Sequence, residues 1–219
     1  RAIRLRLQGE KYFGESKLSG HLSLNNRITS TDVARETFGN SVGSGIDNTH
    51  VIENTRGVES ELNTALRWDQ PIDLHYVSVG TEYIKLWHTD KQFFNDVGTQ
   101  SQYDTSSVDQ VLWMQDAWTP KETVTMTSGM RFENMSLRSD GSDQTHLGVL
   151  PSVALKWQPD EVWVMRTSLG AGMKMPKLNE ISNSVTRSVV FNPSVNTSTP
   201  ITANQAGNPN LKPEHNVNF

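Results

Sequence analysis

The sequence predicts an all-β protein: an antiparallel up-and-down transmembrane β-barrel, present only in part. Three observations carry the prediction. Apolar and polar residues alternate with a period of two over runs longer than a globular strand. Tight turns and long polar connections succeed one another along the chain. Three strands end in tryptophan, each followed by a proline-containing turn.

Alternation defines the elements in order. In 58–68, Val58, Leu62, Leu66 and Trp68 share one parity, and Glu59, Glu61, Asn63 and Arg67 the other. In 123–133, Val124, Met126, Met130 and Phe132 oppose Thr123, Thr125, Thr127, Arg131 and Glu133. In 149–157, Val149, Val153, Leu155 and Trp157 oppose Ser152, Ala154 and Lys156. Segment 74–88 is less regular, with Val77, Val79 and Tyr83 opposing Tyr76, Ser78 and Glu82. Such period-2 runs give each strand one apolar and one polar face. Read this way the chain holds roughly nine strands, at about 1–8, 16–25, 51–68, 73–88, 106–118, 123–137, 148–157, 161–172 and from near 214. Several exceed the usual globular strand of about 5–6 residues and suit the roughly 9–11 that a tilted membrane strand needs.

The connections add polarity to the wall. Trp68 to Pro71, Trp118 to Pro120 and Trp157 to Pro159 read as tight turns, whereas 25–54, 88–105, 137–147 and 173–213 read as long loops. Short turns at one end and long loops at the other is the layout of an outer-membrane barrel. Trp68, Trp118 and Trp157 then sit at one level, where an indole, apolar with a single N–H donor, favours the membrane–water interface; they are read as half of an aromatic girdle. A soluble sandwich or propeller also alternates, but its turns are short at both ends and its tryptophans scattered.

Composition agrees. The 219 residues carry 20 Lys and Arg against 24 Asp and Glu, a net charge of −4, and no cysteine. No basic excess is available to neutralise phosphates, so nucleic acid is not an expected partner. Disulfides and thiolate metal sites are excluded. No apolar run approaches the roughly 18 residues of a spanning helix. An apolar fraction of 35% still suits a barrel, because only alternate residues meet lipid. Nine strands leave two edges, and unpaired backbone groups in hydrocarbon cost several kcal/mol each. The chain is therefore expected to be an arc of a larger barrel, and Arg1 in place of a start methionine fits an excised piece.

Several short motifs are specific. Residues 162–180 (VWVMRTSLGAGMKMPKLNE) form a strand pattern closed by Met175-Pro176 and a Leu178-x-Glu180. Residues 207–214 read Gly207-Asn208-Pro209-Asn210-Leu211-Lys212-Pro213-Glu214. Upstream stand Gln115-Asp116-Ala117-Trp118, Gly129-Met130-Arg131-Phe132-Glu133 and Gly57-Val58-Glu59. These five features, taken in chain order, resemble TonB-dependent outer-membrane receptors of the ferric-siderophore type. Met173-Lys174-Met175-Pro176 stands where that family more often has aromatic–Arg–Ala–Pro. Within the boxes, Pro176, Asn208, Pro209, Asn210, Leu211, Lys212, Pro213 and Glu214 are read as structural: turn formers, and a proline that fixes φ where a loop rejoins the ladder. Glu214 and Asn216 are expected to open an inward-facing row.

The resemblance implies a barrel of 22 strands around a globular plug, in the outer membrane of a Gram-negative bacterium. It implies import of a scarce ligand, a ferric siderophore or similar small chelate, with energy supplied by TonB through the plug. On this reading 1–219 is barrel only, without plug, TonB box or C-terminal strands. Its partners are the chelate, TonB and outer-membrane lipid, and its iron arrives with the cargo rather than as a cofactor. Phe93, Phe94 and Tyr103, with Lys174 and Arg187, are the candidate ligand contacts, since a bulky anionic chelate is held by aromatic faces and cations. Haem would call for a histidine ligand to iron, in that family typically between the two boxes, where this chain has none; His50, His88 and His146 lie elsewhere. Scattered histidines make no metal site, and no G-x-S-x-G elbow or other catalytic constellation is present. Haem or cobalamin cargo and a passive porin-like barrel are the alternatives.

Overall fold

The computed structural model describes residues 1–37, 49–94, 99–139, 142–181, 185–190, 201–208 and 210–219. Eight long strands follow one another as a meander: β1 (Ala2–Phe13), β2 (Ser16–Thr37), β3 (Thr49–Ile72), β4 (His75–Phe94), β5 (Thr99–Lys121), β6 (Val124–Ser139), β7 (Ser142–Trp157) and β8 (Met165–Lys174). A four-residue helix α1 (Leu178–Ile181), a hairpin of β9 (Val185–Val190) and β10 (Ile201–Ala206), and β11 (Glu214–Asn218) complete the chain. The main sheet has nine antiparallel strands in the order β1 to β8 and then β11; β9 and β10 pair only with each other.

Register shows which residues share a face, since paired residues project to the same side. The row through Trp68 contains Leu18, Val79 and Met114; its neighbours bring in Leu24, Leu62, Leu66 and Leu112. The same face carries Met126, Met130, Phe132, Val149, Val153, Leu155 and Trp157. Ile3, Leu5, Leu7, Leu66, Leu112, Met114, Val149 and Val153 are all exposed on it. The opposite face carries Arg67, Asp69, Glu82, Asp109, Arg131 and Glu133, and it is the concave one, because the residues that close around the main cavity all belong to it or to the segment crossing it. The core of this wall is thus small: Val111, Leu137 and Ile181 are its buried apolar side chains among the described residues.

The strands are longer than alternation alone predicts. The expected loops 25–54, 88–105 and 137–147 are largely strand, and Ser139 pairs directly with Ser142. Beyond the apolar band the outward positions turn polar, as at Asn26, Ser60, Ser106 and Ser136. Both faces there meet water, so the period-2 signal fades although the hydrogen-bonded ladder continues. The band itself, over 62–72, 108–118 and 147–157, keeps the length of a tilted span, about 9–11 residues.

The tight turns also shift. Pro71 lies inside β3, opposite Tyr76, and the turn is Asp73-Leu74, with Asp73 at φ 51°. Gly14 takes the equivalent position between β1 and β2 at φ 65°. Asp and Gly are residues that tolerate this left-handed backbone. Between β5 and β6 the register slips between Trp118 and Lys121, and Pro120 occupies the irregularity, where its missing N–H costs the ladder nothing. Strand β8 begins at Met165 rather than near 161, because the Asp160 carboxylate accepts the backbone N–H groups of Val162 and Trp163 at 2.9 and 2.8 Å and holds that stretch as a turn. The predicted loop 173–213 contains α1, β9 and β10. No helix among the described residues is long and apolar enough to cross a membrane.

Candidate functional site

The concave face is built from interlocked charges. Arg67 donates through Nε to Asp69 at 2.8 Å and through Nη2 to Ser78 at 3.2 Å; the Ser78 hydroxyl donates to the same Asp69 oxygen at 2.6 Å. The Arg67 guanidinium also lies 5.6 Å from the Trp113 ring centre, and that ring rests on Gly80, where a Cβ would meet it at 2.5 Å. Further along, Arg131 bridges Glu133 and Glu82, the latter at 3.4 Å. Asp69 and Glu133 are the buried members, and a buried carboxylate persists when it is paired and hydrogen-bonded. They fix the wall.

Past this zone, a cavity of about 680 Å³ opens on the concave side. Four apolar side chains form its floor, Ile84 and Leu86 from β4 and Met135 and Leu137 from β6, and Met175, Pro176 and Leu178 cover it. Arg27, Glu59, His88, Asp90 and Asp109 supply polar edges. The inward parity is apolar here, contrary to the general rule of a wet lumen. Irregular alternation in 74–88 was the sequence trace of it: Ile84 and Leu86 face inward between outward Tyr83, Lys85 and Trp87.

His88 lies beyond the apolar band, at the cavity edge. Its Nε2 meets Asp90 Oδ2 at 2.9 Å and its Nδ1 lies 3.9 Å from Glu59. The hydrogen bond to Asp90, reinforced by the charges of Asp90 and Glu59, raises the imidazole pKa above its ordinary 6.5 against the opposing effect of burial. The ring is therefore held in its protonated form over a wider range than a free histidine.

The cover is a folded segment whose base joins the two sequence boxes. Lys177 N–H donates to the Glu180 carboxylate at 2.9 Å, which closes the single turn of α1. Ile181 is buried at 2% exposure, and its carbonyl accepts from the Ser139 hydroxyl at 2.9 Å. Asn208 N–H donates to the Glu180 carbonyl at 2.7 Å. Asn208 in turn organises the second box, its Oδ1 accepting Asn210 N–H at 3.0 Å and its carbonyl accepting Leu211 N–H at 3.2 Å. Glu214 then opens β11 opposite Lys174, and Asn216 follows on the same inward row opposite Gly172.

Pro176, read in the sequence as structural, lines the cavity, whereas the candidate contacts Phe93, Tyr103 and Lys174 are not among its lining residues. Lys174 ends β8 and approaches Glu214 at 3.8 Å, both strongly exposed, a pairing worth little in water. Tyr103 lies in β5 on the inward row, opposite Asp90. Phe93 shares the outward parity of Val79 and is 41% exposed there. Phe94 ends β4, and Arg187 lies in β9 opposite Asn204; their side chains, and Pro209, lie outside the described residues. Leu211 and Pro213 are half-buried and Lys212 is exposed. Ile84, Leu86, Met135 and Leu137, with Arg27, Asp90 and Asp109 at the edges, are among the site residues that the sequence did not single out. Among the described residues no group of three or more His, Asp or Glu could hold a metal ion.

An antiparallel meander with an apolar outer band and a charged, concave inner wall defines the class: part of the wall of a membrane β-barrel. The profile of the TonB dependent receptor-like β-barrel family matches residues 3–219. The chain belongs to the TonB-dependent receptor family, as barrel. Members of this family are transporters rather than enzymes, in the outer membranes of Gram-negative bacteria. Solved structures share the fold. The ferric yersiniabactin uptake receptor of Yersinia pestis matches with a TM-score of 0.62 at 11% identity, over 94% of this chain and 31% of that one. The copper transporter OprC matches with 0.63 at 14%, over 82% and 30%. The ferripyoverdine receptor of the outer membrane of Pseudomonas aeruginosa matches with 0.60 at 12%, over 81% and 27%. The chain thus spans about a third or less of each receptor. No curated protein matches the sequence.

Proposed function

We propose that this chain is barrel wall of an outer-membrane receptor that binds a ferric siderophore or similar iron chelate and imports it with energy supplied by TonB. The carrying observation is the cavity at the end of the wall remote from the tight turns, with an apolar floor and polar edges, inside a barrel of this family. A site of that size and mixture suits a bulky chelate held by few directed contacts. On this reading a plug and further strands complete the barrel, the plug carries the TonB contact, and iron enters as cargo rather than as a resident cofactor. Trp68, Trp118 and Trp157, outward and part-exposed, then rest at one lipid–water boundary. Phe94, Tyr103, Lys174 and Arg187 remain the proposed lip contacts, and Phe93, on the outward face, drops out of that set.

Haem is the less supported cargo. Ligation needs a neutral imidazole, and among the described residues the histidine that lines the cavity, His88, is engaged by Asp90 and biased toward its protonated form. Family membership likewise favours energised uptake over a passive pore. The test is growth under iron limitation of a strain lacking the complete receptor, fed single ferric siderophores. Loss of use of one chelate, restored by the receptor, is the expected result. Intact use of every iron chelate with loss of copper or cobalamin uptake overturns the iron reading.

A further inference from the structure

We propose that the cavity on the concave face takes an uncharged iron chelate with an apolar shell, of the tris-hydroxamate class, in preference to polyanionic catecholate or citrate chelates. The inference rests on the iron-import reading above and narrows it to one ligand chemistry. Three singly charged hydroxamates cancel the charge of ferric iron, whereas three doubly charged catecholates leave a trianion. The two kinds of chelate ask different things of a site. An uncharged one needs apolar contact and a few neutral hydrogen-bonding groups; a trianion needs cations that are not already answered.

The cavity offers the first set. Ile84, Leu86, Met135 and Leu137 form its floor and Met175, Pro176 and Leu178 its cover, so a ligand meets carbon on two sides. Thr29, Thr31, Thr55 and Ser107 add hydroxyls to its walls. The charged lining is balanced, with Arg27, His88 and Lys177 against Glu59, Asp90 and Asp109. Arg27 stands directly opposite Glu59 on the inward row, and His88 lies on the other side of that carboxylate. His88 also holds Asp90 at 2.9 Å. One oxygen of Asp109 is buried with no hydrogen-bond partner among the described residues. Deeper in the wall, Arg131 is already shared by Glu82 and Glu133. Lys174, expected from the sequence to meet an anion, is outside the lining and approaches Glu214 at 3.8 Å. A trianion entering here exchanges water for an apolar floor beside three carboxylates, and desolvation and repulsion both oppose it. An uncharged chelate meets neither cost and gains the apolar contact.

The experiment measures equilibrium binding of radiolabelled iron chelates to the complete receptor in neutral detergent. Ferrichrome and ferrioxamine E are the uncharged tris-hydroxamates, and ferric enterobactin is the tris-catecholate trianion. The wild-type receptor is expected to bind the better hydroxamate about tenfold or more tightly than the trianion. Leu86→Thr, which removes apolar floor, is expected to weaken hydroxamate binding about tenfold, and Leu86→Met to retain it. Leu86→Lys adds a cation to the floor and is expected to narrow the preference. Equal or tighter binding of the trianion by wild type overturns the proposal, as does hydroxamate binding that Leu86→Thr leaves unchanged. Receptor-dependent growth on ferric enterobactin or ferric citrate, but on neither hydroxamate, overturns the ligand class and leaves iron import standing. Receptor-dependent growth on no iron chelate overturns instead the import reading beneath it.

Discussion

Side-chain direction is the smallest unit that decides anything in this wall. Leu62, Val124, Val153 and Leu155 share the outward face, and Thr125 and Ser152 project inward. Arginine at one of the outward positions near mid-membrane is expected to cost about 2–4 kcal/mol, measured by reversible unfolding of the receptor in lipid. The same change at Thr125 or Ser152 is expected to be mild, and equal costs on both faces would refute the assignment. Gly80 is constrained for another reason. A methyl there meets the Trp113 ring, which Arg67 also engages, so Gly80→Ala should cost about 1–3 kcal/mol by overpacking and change the fluorescence of Trp113. At His88 the effect depends on pH. Its folded-state pKa is raised, so its stabilising contribution is fully present below about 6.5, the unfolded value, and is lost as pH rises through the folded value. The stability difference between wild type and His88→Gln should therefore shrink from acidic to alkaline pH; a difference that grows instead removes the Asp90 pairing as its cause.

At the scale of elements, the described hydrogen bonds of the loop 175–213 to its surroundings lie at its base. Glu180, Ser139 and Asn208 make the hydrogen bonds that close it. Asn208→Ala removes the acceptor for Asn210 N–H and should loosen the second box by about 0.5–1.5 kcal/mol, the usual net worth of such a bond. Limited proteolysis within 182–207 is expected to speed up in this variant while cleavage elsewhere does not change. The motifs were legible because Asn, Pro and Glu at fixed spacing announce turn chemistry. Their partnership was not, since a hydrogen bond from Asn208 to Glu180 spans residues that no local rule connects. The same limit explains β9 and β10, which lie in a segment with no clear alternation, and Pro71 and Pro120, whose turn signal was right in kind and misplaced by a few residues.

For the molecule as a whole, β1 and β11 are the outer strands of the sheet. Each presents a row of backbone groups that hydrocarbon cannot satisfy. Expressed alone, this chain is expected to associate edge to edge in detergent, seen as polydispersity in light scattering. A monodisperse, closed monomer would contradict the arc. On the proposed reading, neighbouring strands of a larger barrel take up the same edges.

Local chemistry wrote much of this protein directly into its amino-acid order. A strand has a period of two, so lipid on one side and water on the other leave an alternating record, and Trp, Pro, Gly and Asp mark where strands end. Those features were enough for the nine strands of the sheet and for their faces, while the family came from the resemblance of a few short motifs. The cavity followed another rule. Ile84, Leu86, Met135 and Leu137 are apolar on the inward side, far apart in the chain, and only register across β4, β5 and β6 brings them together. The same register places Arg27 against Glu59 and Asn208 beside Glu180. Contacts between distant segments depend on how strands slide and pair, and that is an energy of the assembled sheet rather than of any one stretch within it.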